Sequence, residues 1–196
     1  MYQPHPRTMH DFFAKSQGTW HTQREVHHLD NVADESGESL LLVQPIDTTD
    51  PNTTAICQNQ GIPRHLASGG ARFLWQTSLD AEPPDPNSGA ILIDLPNPQD
   101  PQSGKLLRDR GYVEKIPVIS RYWFAQDGIL TITTEYENSQ GQERCWFITH
   151  NIRIRVSNVR LATGVQLLTY CTERRIPSTA DLDTLIQNNK VRTNTL

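Results

Sequence analysis

The stretch ILTITTEYENSQGQERCWFIT, residues 129–149, holds two strand-like segments separated by a short polar turn. Both segments are rich in β-branched and aromatic side chains, which pack well on the pleated surface of a sheet. The intervening NSQGQ, residues 138–142, has the polar, glycine-containing composition of a hairpin connection. The stretch therefore predicts two neighbouring antiparallel strands.

Segments of the same kind occur along most of the chain, which brings the predicted number of strands to nine. The other seven lie at residues 20–29, 38–44, 71–79, 89–95, 119–125, 151–160 and 164–174. Many short antiparallel strands leave open edges unless the sheet closes, so we expect a sandwich or an up-and-down barrel. Residues 80–104, rich in Pro, Asp and Gly, are predicted to form two exposed loops around one strand.

The residues before the first strand predict a short helix. In TMHDFFAKSQG, Thr8 is in position to cap the helix, Asp11 is its reciprocal partner three residues on, and Gly18 is the stop signal. Phe12 and Phe13 are expected to face the body of the protein. A helix of this kind would cover one end of the β structure.

The tripeptide Gly18-Thr19-Trp20 follows this helix directly and resembles the opening of lipocalin-like barrels, in which the tryptophan packs across the barrel floor. It therefore favours a barrel, and a barrel of roughly eight to ten strands is wide enough to hold one small ligand. We predict an all-β, lipocalin-like antiparallel barrel as a single domain over residues 1–178. Residues 52–60 are expected to form one or two helical turns, and residues 179–196 a weakly helical or mobile tail.

Composition excludes several classes of function. The 196 residues include 18 Lys and Arg against 22 Asp and Glu, a net charge of -4, which argues against general nucleic-acid binding. No apolar run approaches the roughly 20 residues that a membrane span needs, and the start of the chain lacks a signal-peptide core. Three widely spaced cysteines, Cys57, Cys145 and Cys171, fit buried reduced thiols. These features predict a soluble protein that is not exported.

Four stretches taken together resemble the S-type phycobiliprotein lyases, the CpcS/CpeS family, and they span nearly the whole chain in order. They are DFFAKSQGTWHTQREVHHL at 11–29, GGARFLW at 69–75, GKLLRDRGYVEKIPVISRY at 104–122 running into LTITTEYE at 130–137, and ERCWFITHNIRIRVS at 143–157 with YCTERRI at 170–176. Four positions depart from the usual family pattern: Thr22, Gln76, Val156 and Arg174. A carboxylate is common at position 76, where it could pair with pyrrole N–H groups.

The resemblance implies a barrel of about ten strands and an enzyme, a chromophore lyase, that attaches a linear tetrapyrrole bilin to a cysteine of a phycobiliprotein α or β subunit. The bilin, phycocyanobilin or phycoerythrobilin, would be a substrate, with no permanently bound cofactor. A homodimer, or a heterodimer with a second lyase subunit, is left open. The expected location is the cyanobacterial cytosol, or the stroma if the chain is plastid-encoded.

Arg153 and Arg155, in the stretch NIRIRV, match the family's bilin-contacting arginines. Two guanidinium groups on one strand face suit the propionate carboxylates of a bilin, since each can bind a carboxylate through two hydrogen bonds. Alternation alone favours the opposite arrangement, with Ile152, Ile154 and Val156 in the core and the arginines in water. The resemblance favours the interior for the arginines.

Glu173 is the candidate catalytic residue. Alternation directs it toward an apolar interior, where burial should raise its pKa and let it exchange a proton near neutrality. An ion pair with a nearby arginine is the alternative. Arg24 is expected to supply a further cation near the barrel mouth, and three aromatic residues are candidate walls for the bilin. These are Trp75, Tyr136 and Trp146.

No metal site is predicted, because His27 and His28 are neighbours on a strand and point to opposite faces, and no cysteine or carboxylate completes a zinc set. Two other functions stay open. One is a lipocalin-like bilin carrier without ligase activity, and the other is a non-catalytic subunit of a heteromeric lyase. The departures at Gln76 and Val156 keep the second of these open.

Overall fold

A computed structural model describes residues 5–30, 32–76, 89–110 and 116–177. Ten strands lie within these ranges: β1 Gly18–His28, β2 Glu35–Ile46, β3 Gly69–Gln76, β4 Gly89–Asn97, β5 Asp100–Arg108, β6 Val118–Phe124, β7 Leu130–Glu135, β8 Gln140–Thr149, β9 Ile152–Arg160 and β10 Gln166–Ile176. They are accompanied by α1 Met9–Ser16, α2 Pro51–Asn59 and a 3-10 turn, Arg64–Leu66. Each strand pairs antiparallel with its neighbour in the chain, and β1 pairs with β10, so the predicted up-and-down barrel is confirmed.

The hairpin predicted from residues 129–149 is the β7–β8 pair. Its turn is closed by a hydrogen bond of 2.9 Å from the backbone N–H of Tyr136 to the carbonyl oxygen of Ser139. Consecutive hairpins of this kind bring strands that are close in sequence into contact. Among the described strands, the pairing of β1 with β10 is the one that joins segments far apart in the sequence.

Helix α1 begins where the sequence predicts it. Thr8 caps it: its hydroxyl oxygen accepts a hydrogen bond from the Asp11 backbone N–H at 3.2 Å and donates one to the Asp11 carboxylate at 2.8 Å. Phe12 and Phe13 are buried, as predicted. Gly18 follows with a φ of +115°, a conformation that glycine adopts at little cost.

Aromatic rings fill the end of the barrel that α1 covers. The ring centroid of Phe12 lies 5.6 Å from that of Phe147 and 6.2 Å from that of Phe124. Trp20 is fully buried beneath them. This end of the barrel is therefore a hydrophobic core, and the larger cavity described below lies toward the other end.

The described residues form ten strands, whereas the strand-like segments of the sequence predict nine. The additional strand is β5, and its first half lies in the stretch predicted as an exposed loop, so that part of the prediction is wrong. The Pro, Ser and Gly residues of this segment favour a loop, yet its backbone pairs with both β4 and β6. Glycine is required at Gly104, because a Cβ there would come within 2.7 Å of the Tyr122 hydroxyl oxygen.

Helix α2 covers the outer face of β4 and β5. Ile93 and Leu107 point away from the barrel interior and pack with Ile56 and Cys57 in a second, smaller core. This packing explains why β4 carries apolar residues on both faces. The helical turns predicted at residues 52–60 are confirmed.

Some sequence predictions fall outside the described residues. The loop before residue 89 and the tail at 179–196 are among them, and the domain boundary at 178 stays a prediction. Within the described ranges, no helix has both the length and the apolar character to span a membrane.

We expect Phe12→Ala to lower the free energy of unfolding by about 3–5 kcal/mol, because it leaves a cavity between α1 and the aromatic rings. Urea denaturation of the two proteins measures the difference. Ile148→Ala is the matched control, since Ile148 is 56% exposed on the outside of β8 and should change the stability by less than about 0.5 kcal/mol. Equal losses in the two variants would contradict the role of α1 in closing the core.

Candidate functional site

The end of the barrel away from α1 contains a cavity of about 480 Å³. Small-molecule sites have volumes of roughly 300–1,000 Å³, so the cavity is large enough for one such ligand. Its polar wall, from β1, β2, β9 and β10, carries Thr22, Arg24, Ser39, Arg155, Ser157 and Cys171. Its apolar lining includes Trp75 on β3, Ile132 on β7 and Tyr136 directly after β7.

Four of the predicted bilin-binding residues line this cavity: Arg24, Trp75, Tyr136 and Arg155. Arg24 is exposed, which agrees with its predicted position near the mouth. Arg155 lies deeper, with its side chain 22% exposed. The fold thus brings two cationic and two aromatic side chains, from four separate parts of the sequence, to one cavity.

Strand β9 turns its arginines inward. The Arg153 side chain is only 2% exposed, whereas Ile152, Ile154 and Val156 lie half-buried on the outer face of the barrel. The arrangement that alternation alone favours is therefore wrong. The physical reason is the cross-strand partner, because Glu173 on β10 lies directly opposite Arg153 in the register and supplies the opposite charge.

Glu173 and the two arginines form a buried ion-pair network. The Nε of Arg153 donates to one carboxylate oxygen of Glu173 at 2.5 Å. A terminal guanidinium nitrogen of Arg155 lies 3.2 Å from the other oxygen. Glu173 is completely buried, and Arg153 also donates to the Ser16 hydroxyl oxygen at 2.9 Å. Of the network's three members, Arg155 lines the cavity, whereas Arg153, predicted to bind the bilin, and Glu173, predicted to be catalytic, do not border it.

The charge state of Glu173 differs from the sequence expectation. Burial favours the neutral acid and is the largest single influence on its pKa. The positive charges of Arg153 and Arg155 and their hydrogen bonds together outweigh burial, so the pKa lies below its ordinary value. The expectation of a raised pKa is wrong, and the alternative of an ion pair with arginine is what the structure contains. Glu173 is a carboxylate at neutral pH.

Trp20 connects this network to helix α1. Its ring lies between two guanidinium groups, with the central carbon of Arg153 at 4.7 Å and that of Arg175 at 4.3 Å from the ring centroid. Its indole N–H donates to the backbone carbonyl of Ser16 at 2.8 Å, and Arg175 donates to that of Lys15 at 2.6 Å. The end of α1 is therefore tied to the residues that hold Glu173.

Trp146 is not part of the cavity, so its prediction as a wall is corrected. Cys145 and Phe147 on either side of it are buried in the barrel interior, and alternation directs Trp146 to the outside. Its partner in the register is Ile154, which also faces outward. The half-buried Trp146 belongs to the outer surface of β8 and β9.

The four positions that depart from the family pattern lie on different faces of the barrel wall. Gln76 follows Trp75 on β3 and therefore lies on the opposite face from the cavity lining. Val156 and Arg174 likewise lie on the outer faces of β9 and β10. Of the four positions, only Thr22 lines the cavity.

Sequence reasoning missed Arg108 and Glu143. Arg108 ends β5 and is only 2% exposed, yet it borders the cavity. Arg108 was not predicted because its strand was not predicted, although alternation from the buried Leu106 would direct its side chain inward. Glu143 on β8 also borders the cavity, with a carboxylate oxygen 3.5 Å from Arg155. Arg155 thus lies between two carboxylates.

The cysteines of the barrel interior are poor nucleophiles. Burial raises the pKa of Cys145 to about 12, and burial also raises the pKa of Cys171. Since the thiolate is the reactive form, both groups stay protonated at neutral pH. Cys171 borders the cavity and accepts a weak hydrogen bond from Arg155 at 3.6 Å.

The histidines of β1 are bound to separate carboxylates. His21 contacts Glu38 at 3.1 Å, and His28 contacts Glu35 at 3.0 Å. His27 contacts a third carboxylate, that of Asp34. In the part of the chain that the structure describes, no group of three or more His, Cys, Asp or Glu residues is arranged to hold a metal ion.

A closed barrel with a cavity of this size, lined by charged and aromatic side chains, is typical of proteins that bind a small molecule. The family model described as CpeS-like protein matches residues 8–176. The chain therefore belongs to this family, which confirms the resemblance to the CpcS/CpeS proteins.

Individual relatives support the same membership. The chain is 51% identical to "Chromophore lyase CpcS/CpeS 4" of Trichodesmium erythraeum over 95% of its own length and 97% of the relative's. It is 46% identical to "Chromophore lyase CpcS/CpeS" of a Synechococcus species, covering 94% and 92% of the two chains. It is also 35% identical to "Phycocyanobilin lyase subunit CpcS" of a Picosynechococcus species, covering 85% of each.

A solved structure has the same fold. The S-type phycobiliprotein lyase CPES from Guillardia theta superposes with a TM-score of 0.73 at 24% sequence identity. The match covers 87% of this chain and 94% of the other. The lipocalin-like barrel with its N-terminal helix is therefore shared with that protein.

We expect Glu173→Gln to lower the free energy of unfolding at neutral pH by about 3–5 kcal/mol, because it leaves two arginines without their buried counter-charge. A lowered pKa adds stability above the ordinary value of 4.5 and loses it as the pH falls through the folded-state value. The difference between wild type and variant should therefore narrow in acid. Urea denaturation over a series of pH values measures it.

Glu135→Gln is the matched control for this experiment. Glu135 forms an ion pair with Arg121 at 2.6 Å, but both side chains are more than 60% exposed, at 64% and 67%. Its replacement should change stability by at most about 1 kcal/mol. A difference between wild type and Glu173→Gln that stayed constant from neutral to acid pH would contradict an ionised Glu173.

Proposed function

We propose that this protein is a phycobiliprotein lyase, which binds a linear tetrapyrrole bilin and catalyses its thioether attachment to a cysteine of a phycobiliprotein subunit. The observation that carries the proposal is the cavity, lined by arginines and aromatic rings, in a chain whose relatives over nearly its full length are named chromophore lyases. A general lipid or heme carrier would not account for both features.

The chemistry of a bilin fits this cavity. A bilin has two propionate carboxylates and a row of N–H groups on a long apolar conjugated body. Arg24 and Arg155 provide cations for the carboxylates, and Trp75 and Tyr136 provide apolar surface for the conjugated rings. Arg108 and Glu143 add charged groups that can bind carboxylate and N–H groups, respectively.

Arg153 acts through its neighbours. It is buried against Glu173, Ser16 and the Trp20 ring, so it orients Glu173, which in turn holds Arg155 at the cavity floor. The catalytic role of Glu173 stays a prediction. As a carboxylate with a lowered pKa, Glu173 carries no proton to donate at neutral pH and is a weaker base than an ordinary glutamate.

The nucleophile belongs to the acceptor protein. Its cysteine thiol adds to the ethylidene group of the bilin: the C–S bond forms, the carbon–carbon π bond breaks, and the thiol proton passes to the conjugated system. No oxidant or reductant is needed. The lyase contributes by fixing the bilin in one conformation and presenting its reactive end to the thiol, which lowers the entropic part of the barrier. The protonated cysteines of the barrel interior do not compete as nucleophiles.

The substrate is phycocyanobilin or phycoerythrobilin, and the acceptor is an α or β phycobiliprotein subunit. The protein works in the cytosol of a cyanobacterium, or in the stroma if it is plastid-encoded. A second candidate is a non-catalytic subunit of a heteromeric lyase, because the Picosynechococcus relative is named a lyase subunit. In that case the protein would form a heterodimer instead of acting alone or as a homodimer.

The test is to mix the purified protein with each bilin, add an apo-phycobiliprotein α or β subunit, and measure zinc-enhanced fluorescence of the acceptor band on a denaturing gel. We expect an acceptor band above the no-lyase control. Arg155→Gln should weaken bilin binding by about 10- to 100-fold, because it removes a charge-assisted hydrogen bond. Arg121→Gln, on the outer face of β6, is the matched control and should bind like wild type.

The other outcomes discriminate between the candidates. Bilin binding without adduct formation on any acceptor would support the carrier. Activity that appears only after a second lyase subunit is added would support the heteromeric assembly. Loss of activity after Cys57, Cys145 and Cys171 are replaced together by serine, in a variant that still folds and binds bilin, would contradict a nucleophile supplied by the acceptor.

A further inference from the structure

The side-chain hydroxyl of Thr22 is buried and has no hydrogen-bond partner among the residues that the structure describes. It lies on β1 between Ser39 of β2 and Glu173 of β10 in the register of the sheet. It is 3% exposed. Among the described residues, no group accepts from or donates to its side-chain oxygen.

The neighbouring residues explain why the hydroxyl is left over. The carboxylate of Glu173, its partner across the strands, is turned toward two arginines: Arg153 donates a hydrogen bond to one oxygen, and Arg155 is ion-paired with the other at 3.2 Å. A threonine hydroxyl can donate one hydrogen bond and accept two, and leaving it unused in a buried position costs free energy. Buried polar groups in native proteins are rarely left without partners.

Thr22 borders the cavity. Thr22 is among the residues that line it, and so is Arg24, two positions along the same face of β1. Residues i and i+2 of a strand lie about 7 Å apart on one face. Thr22 and Arg24 therefore form a row of two hydrogen-bond donors along the polar wall, with Arg155 also on that wall.

We infer that Thr22 is a ligand-contacting residue, whose hydroxyl donates a hydrogen bond to an oxygen atom of the bound tetrapyrrole. That oxygen belongs to a propionate carboxylate or to a terminal lactam carbonyl. An oxygen is the matching group because Arg24, the next residue of the row, can only donate, so a ligand oxygen placed along the row can accept from both side chains. This inference rests on the proposed function, since it names a contact within the same cavity.

If Thr22 contacts the ligand, removing its hydroxyl should lower the affinity for the bilin without lowering the stability of the protein. Thr22→Val keeps the branched shape, suits a strand and removes only the hydroxyl. Because that hydroxyl has no partner in the protein, the ligand-free variant should unfold at the same temperature as wild type or at a higher one. Its affinity for the bilin should fall about tenfold, the effect of one lost hydrogen bond. Thr22→Ser keeps the hydroxyl and should retain the affinity.

The experiment titrates wild type, Thr22→Val and Thr22→Ser with phycocyanobilin, follows absorbance, and records thermal unfolding of each protein without ligand. Repeating the titration with the bilin dimethyl ester identifies the oxygen. If the affinity ratio of wild type to Thr22→Val disappears with the ester, the contact is a propionate; if the ratio persists, the contact is a lactam carbonyl.

Equal phycocyanobilin affinities of wild type and Thr22→Val would overturn the inference and leave the proposed function intact. A lower unfolding temperature of Thr22→Val would also overturn it, because it would assign the hydroxyl a structural role. If the wild type binds neither phycocyanobilin nor phycoerythrobilin, both the proposed function and this inference are overturned.

Discussion

The buried carboxylate of Glu173 is the constraint on which the rest of the barrel interior depends. A charged group with no exposure to water requires counter-charges at contact distance, because its loss of hydration is otherwise far too costly. Arg153 and Arg155 supply them from the neighbouring strand. This requirement fixes which face of β9 points inward, and it leaves the branched apolar residues of that strand on the outside. The most hydrophobic-looking face of β9 is therefore its outer face.

Arg153 must itself be compensated, and its remaining contacts connect the ion-pair network to the end of the barrel that α1 closes. Its second hydrogen bond goes to Ser16 at the end of α1, and its flat face covers Trp20. The barrel is consequently divided into an aromatic core under α1 and a partly polar cavity on the other side of the ion-pair network. Arg155 stands at the boundary, since it contacts both Glu173 below and Glu143 within the cavity. One network therefore both orients Arg155 in the cavity and holds helix α1 against the barrel.

Local signals in the sequence predict much of this fold, and non-local contacts account for what they miss. The cap at Thr8 is encoded by adjacent residues and is where the sequence predicts it, and the predicted turn at 138–142 is found two residues earlier, closed by Tyr136 and Ser139. Strand β5 is held by pairing on both sides, which its Pro, Ser and Gly do not reveal. Alternation separates two faces of a strand without saying which faces inward, and for β9 only the family resemblance gives the right answer. The pKa direction of Glu173 was unpredictable from its own strand because Arg153 is 20 residues away in sequence.

The same distinction between faces bears on what sets this chain apart from the usual family pattern. Gln76, Val156 and Arg174 differ from that pattern, yet all three lie on the outside of the barrel. A change on the outer face does not alter the hydrogen-bonding groups or charges that a ligand meets in the cavity. Such a change does alter the surface offered to another protein. Differences at these positions therefore leave the cavity lining unchanged, and a glutamine in place of a carboxylate at position 76 removes no acidic group from the cavity.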